Sequence, residues 1–93
     1  MDDHLRIGCV VYSKMGRDSG KYYMVVSLAD QYAYIADGNL RKLKNPKKKN
    51  IKHIKDSGIV LETIAEKLIS GKKVFDTELS SAIRELNSNN GGN

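Results

Sequence analysis

The sequence predicts a mainly β plus α fold, a small five-stranded β-barrel followed by a C-terminal two-helix segment. Three observations predict it. Short runs rich in β-branched and aromatic residues, separated by turn residues, fill the first part of the chain. After Asp56-Ser57-Gly58 the apolar period changes to three and four residues. The 93 residues, 40% of them hydrophobic, supply one modest core and no second lobe. The expected division is a barrel over 1–56, a helical hairpin packed on it over 57–86, and a disordered tail over 87–93, which has no apolar residue and two adjacent glycines.

Residues 7–12 and 22–28 read as two strands joined by a loop carrying Gly16 and Gly20. Ala29-Asp30-Gln31 is a polar break before a third strand over 32–36. Asp37-Gly38 is the strongest two-residue hairpin signal in the chain and leads into a fourth strand over 39–43. Asn45-Pro46 makes another turn, because proline fixes its own φ and pushes its predecessor out of the helical region; a fifth strand over 50–54 follows. In these last two strands Leu40 and Leu43, like Ile51 and Ile54, are three apart, so a bulge, a barrel corner or a single helical turn is required. Val60, Leu61, Ile64, Ala65, Leu68 and Ile69 form the stripe of a first helix, ended by Gly71. Asp76 is placed to cap a second helix, whose Leu79, Ala82, Ile83 and Leu86 repeat the spacing.

The net charge of +5 is not spread evenly. Residues 1–40 carry −1 and residues 56–93 carry −2, whereas 41–55 carries +8 with no acid: Arg41, Lys42, Lys44, Lys47, Lys48, Lys49, Lys52 and Lys55. Eight like charges in fifteen residues repel one another, so the pattern suits a polyanion better than a merely solvated face, which intersperses both signs. Pro46-Lys47-Lys48-Lys49 also has the composition of a nuclear import signal. Membrane binding is not expected, because a polybasic stretch needs a second anchor and no lipidation motif accompanies this one. No apolar run approaches the ~20 residues of a spanning helix, and Met1-Asp2-Asp3-His4 does not open a secretion signal. A cytoplasmic protein, monomeric when free, is expected, and its single Cys9 excludes an internal disulfide.

The loop Gly16-Arg17-Asp18-Ser19-Gly20-Lys21 resembles the loop of the KOW motif, with its pattern of Gly, base, Asp, any residue, Gly, Lys. Gly8 stands where that family places the glycine opening its first strand. Leu28-Ala29-Asp30-Gln31 and Ile35-Ala36-Asp37-Gly38 resemble the continuation of the barrel in KOW-type large-subunit ribosomal proteins of archaea and eukaryotes, which extends the resemblance to roughly half the chain. The resemblance implies an SH3-like barrel that binds structured RNA, with ribosomal RNA the implied partner and ribosomal proteins as further contacts. The short chain fits a small bacterial relative that visits the ribosome.

The RNA-binding candidates are therefore Lys14, Arg17 and Lys21 of the first loop, and Arg41, Lys42, Lys44, Lys47, Lys48, Lys49, Lys52 and His53 of the basic block. Lysines act as point charges on phosphates, while arginines also fork onto phosphate oxygens and stack on bases. Gly8, Gly16, Gly20, Asp37 and Gly38 are the structural residues of the motif. Tyr12, Tyr22, Tyr23, Tyr32 and Tyr34 all fall in the barrel. Tyr22 and Tyr23 point to opposite faces, so at most one is buried, and an exposed one can stack on a splayed base.

His4, Cys9 and His53 have no zinc spacing, so neither metal nor cofactor is expected. Paired carboxylates, a phosphate loop and a nucleophile elbow are absent from the sequence, and the chain reads as non-enzymatic. The rival reading is a protein-interaction module that docks a ribosomal protein or RNA polymerase through the barrel or the helices.

Overall fold

The computed structural model describes the backbone of residues 5–16 and 19–91, and the side chains of these up to Leu86. Five strands, β1 (Cys9–Ser13), β2 (Tyr22–Ala29), β3 (Tyr32–Ala36), β4 (Lys47–Asn50) and β5 (Ile54–Val60), form one antiparallel sheet in the order β4-β3-β2-β1-β5. Two helices follow, α1 (Glu62–Ile69) and α2 (Asp76–Gly91), making a small α+β fold. Among the described residues no helix is long and apolar enough to cross a membrane.

The sheet is open, with β4 and β5 as its edges. It is also curled. A 3-10 turn of three residues, Ile51–His53, carries the chain from one edge to the other. Such a turn advances about 6 Å, whereas four strand spacings laid flat would part the edges by about 19 Å. Two irregularities bend the strands, one between Val25 and Ser27 of β2 and one between Val10 and Val11 of β1 against β5.

Several expectations from the sequence are corrected. Residues 39–43 are not a strand, and Asp37-Gly38 is not a two-residue hairpin. Asp37 Oδ1 accepts the N–H groups of Asn39 and Arg41, both at 2.9 Å, and Arg41 O accepts those of Asp37 and Gly38, so the chain coils on the carboxylate and reaches its next strand only at Lys47. The tight hairpin is Asp30-Gln31 instead, where Ala29 pairs Tyr32 and Asp30 takes φ 57°. The fifth strand begins at Ile54 and runs through Asp56-Ser57-Gly58, the residues expected to end the barrel. Their turn chemistry is spent on a bulge: Asp56 Oδ1 accepts Gly58 N–H at 2.9 Å and Ser57 Oγ donates to Val10 O at 2.7 Å. The 56/57 division thus falls inside β5. Asp76 lies within the first turn of α2, and its Oδ1 accepts Leu43 N–H at 2.7 Å, tying the 37–46 loop to the helix; Phe75 O begins the helical hydrogen bonds. The helix runs on through residues 87–91, expected as part of a tail, while 92 and 93 lie outside the described residues.

Strand alternation sorts the apolar side chains into two layers. Cys9, Val11, Tyr23, Val25, Ala33, Ile35 and Ile54 fill the inside of the curl. Val10, Met24 and Ala36 meet Ile64 of α1 and Leu79 and Ile83 of α2 on the other face. Each such large aliphatic side chain taken from water contributes roughly 1.5–3 kcal/mol. Helices and sheet approach closely at two glycines: a Cβ on Gly8 would lie 2.3 Å from the Ala65 Cβ, and one on Gly38 would lie 2.3 Å from Asp76 O.

Candidate nucleic-acid interface

The first loop is closed by backbone bonds at its base, Ser13 N–H to Lys21 O at 3.0 Å and Gly20 N–H to Ser13 O at 2.9 Å. Gly16 and Gly20 take φ of 91° and 86°, which a side chain would strain. Lys14 and Lys21 project from this loop into solvent. Arg17, with Asp18, lies outside the described residues.

The curl of the sheet brings part of the basic block against this loop. Lys14 N–H donates to His53 O at 2.9 Å, and Lys49 Nζ donates to Met15 O at 2.6 Å. Lys49 is only 8% exposed. It pairs with Ala33, whose side chain faces the inner layer, so strand alternation turns Lys49 inward too. Lys49, expected on a phosphate, is a tether for the loop. Lys48, one residue away, is exposed on the opposite face with its Nζ 4.3 Å from the centroid of the Tyr32 ring. Lys52 is exposed, held by the 3-10 turn whose first amide bond, Lys52 N–H to Asn50 Oδ1, is 2.9 Å. His53 and Lys47 are half-buried.

Arg41, Lys42 and Lys44 belong instead to the loop anchored on Asp37 and, through Leu43, on Asp76 of α2. Lys42 and Lys44 are exposed and Arg41 half-buried. The block that is continuous in sequence is thus divided between two supports: the tether, turn and β5 beside the first loop, and the helix-anchored loop.

Sequence reasoning missed Lys55 as a binding candidate. In the register of β1 with β5, Lys55 stands opposite Tyr12, which on its other side stands opposite Tyr22. Cross-strand partners share a face, so a lysine and two tyrosines line up next to the first loop. The two rings meet edge to face, centroids 5.3 Å apart at 64°. Tyr12 is exposed and Tyr22 half-buried, while Tyr23 is buried in the inner layer, as the alternation requires. The Tyr12–Tyr22 pairing was readable from the strand–loop–strand pattern, but Lys55 depended on a strand the sequence did not reveal.

Burial pushes the Cys9 thiol above its ordinary pKa, with the negative charge of Asp56 adding to the effect, so it stays a neutral apolar side chain. Among the described residues no three His, Cys, Asp or Glu side chains are grouped to hold a metal ion. Compared with known proteins, the chain matches no protein-family model and no curated protein.

Proposed function

We propose that this chain is a non-catalytic RNA-binding protein of the KOW type, whose curled sheet is an SH3-like barrel and whose partner is ribosomal RNA of the large subunit. The observation that carries the reading is the set of exposed lysines, Lys14 and Lys21 of the first loop, Lys48 of β4, Lys52 of the 3-10 turn and Lys55 of β5, which outnumber, among the described residues, the one exposed acid beside them, Asp56. The glycine positions of that loop, the return of β5 to pair with β1, and the 3-10 turn between the edges support the barrel. In this reading the protein binds in the cytoplasm, as a monomer that visits the ribosome. Its affinity comes chiefly from counterions released when lysines neutralise phosphates.

The test is a salt titration against a large-subunit RNA fragment. About four to six phosphates neutralised, at roughly 0.7 each for single strands, give a log–log slope of about −3 to −4. Replacing Lys48, Lys52 and Lys55 together by Glu lowers affinity for all sequences alike. A flat titration, or full affinity in that variant, overturns the electrostatic mechanism. Crosslinking in cells that recovers a ribosomal protein or polymerase and no RNA favours the protein-docking alternative.

A further inference from the structure

We infer that the groove between β1, β2 and β5 receives one unpaired RNA base against the Tyr12–Tyr22 pair. This rests on the RNA-binding reading and adds what the protein selects within an RNA. The groove has a volume of about 450 Å³ and is lined by Tyr12, Tyr22, Lys55, Asp56 and Ser57. That is within the size range of small-molecule sites, roughly 300–1,000 Å³.

Its construction favours a flat aromatic guest. Tyr12 is 36% exposed although its strand neighbours Val11 and Ser13 are fully buried. Its ring is held from one side by Tyr22, at 5.3 Å between centroids. The loop passes close at Gly20, where a Cβ would sit 3.8 Å from Tyr12 Oη. A rigid aromatic surface held in this way stacks on any base at low entropic cost.

Charge orients the guest. Lys55, opposite Tyr12 on β5, supplies a cation for the phosphate. Asp56 beside it is held by its bond from Gly58 N–H at 2.9 Å, and its negative charge repels a phosphate from the groove itself. The base therefore enters, while its phosphate stays at the lysine rim. Ser57 is occupied, donating to Val10 O at 2.7 Å and accepting from Ile59 N–H at 3.2 Å, so it shapes the floor rather than reading the base. A base stacked inside an RNA duplex has no free face to offer, which restricts the site to bulges, loops and single strands.

The experiment compares two RNA hairpins of equal charge at one salt concentration. One carries a bulged 2-aminopurine, and in the other the same nucleotide is paired. The full chain binds the bulged hairpin more tightly, by roughly 5- to 100-fold, the range base–aromatic stacking supplies, and quenches its fluorescence. Tyr12→Ala abolishes both the preference and the quench while holding the affinity for the paired hairpin; Tyr12→Phe keeps all three. Equal wild-type affinity for the two hairpins, or an unchanged preference in Tyr12→Ala, overturns the inference and leaves general RNA binding standing. Binding to neither hairpin overturns the RNA-binding reading along with it.

Discussion

The first-loop end of the sheet and its helix-covered face use the same residue types for opposite purposes. At the loop end, Gly16 and Gly20 bend the chain at φ of 91° and 86°, a Cβ on Gly20 would meet only Tyr12 Oη at 3.8 Å, and Lys14 and Lys21 face solvent. On the helix face, Gly8 and Gly38 are there because a helix backbone or Cβ occupies the space a side chain would need. The difference teaches that a glycine or a lysine has no role until its neighbours are known. It also separates two expected kinds of damage: changes on the helix face cost the most stability, whereas, under the proposed function, changes to the solvent-facing lysines of the loop end alter what the protein binds.

The sharpest way to break this contrast is a pair of glycine substitutions. In Gly38→Ala the new Cβ would lie 2.3 Å from Asp76 O and 2.8 Å from Ser80 N, both backbone atoms of α2, at a residue with φ 78°. The strain and the overpacking each cost roughly 1–3 kcal/mol, so a loss of about 3 kcal/mol is expected. In Gly20→Ala the strain is present but the nearest atom is 3.8 Å away, and about 1–2 kcal/mol is expected. Urea denaturation of both variants measures the gap, and equal losses would mean that contact with α2 adds nothing.

These particulars also show what was legible in the sequence. The first three strands, the loop between the first two, both helices and the Gly71 stop were readable because each is a local pattern: β-branched runs, helical spacing, a glycine at φ 78° just past the helix. What failed depended on partners distant in sequence. Asp37-Gly38 has the composition of a hairpin, yet its outcome was decided by a carboxylate coiling the chain and by α2 packing on Gly38. Asp76 has the composition of a cap, yet it accepts from Leu43, 33 residues earlier. The candidate site divides similarly. Charge and motif pointed to the basic block and the first loop, parts of which the fold brings together at Lys49 and Met15, but a run of three lysines conceals the strand alternation that buries the third.

That alternation supports the next prediction. Lys49→Met removes the bond from Nζ to Met15 O and leaves a partly buried carbonyl without that donor, while keeping the side chain's apolar length. A charged hydrogen bond of this type is worth roughly 1.5–3 kcal/mol, so a loss of about 2 kcal/mol is expected. Lys48→Met loses a surface cation–π contact with Tyr32, worth about 0.5–1 kcal/mol. Under the proposed function RNA affinity is expected to reverse the order, with Lys48→Met the more damaging at low salt because its charge is the exposed one. Thermal melts and binding isotherms on both variants decide the matter; equal stability would remove the tether, and equal affinity would return Lys49 to the interface.

The smallest effect concerns how α1 and α2 hold each other. Lys67 Nζ donates to Glu78 Oε2 at 2.6 Å, and this bond, with Coulomb attraction to the same lysine and a backbone bond at Phe75, holds the Glu78 carboxyl below the usual glutamate pKa. A carboxyl depressed in the folded state is stabilising above its unfolded pKa, and that contribution disappears as pH falls through the folded value. The pair is partly exposed, so its worth is small and screened by salt. Wild type is therefore expected to melt slightly above Glu78→Gln at pH 7 in low salt. The gap should narrow as pH drops below the ordinary carboxylate range, and narrow again at neutral pH in high salt. A gap that persisted through acid would show that the helices are joined by their apolar contacts with the sheet, through Ile64, Leu79 and Ile83, and owe nothing to the ion pair.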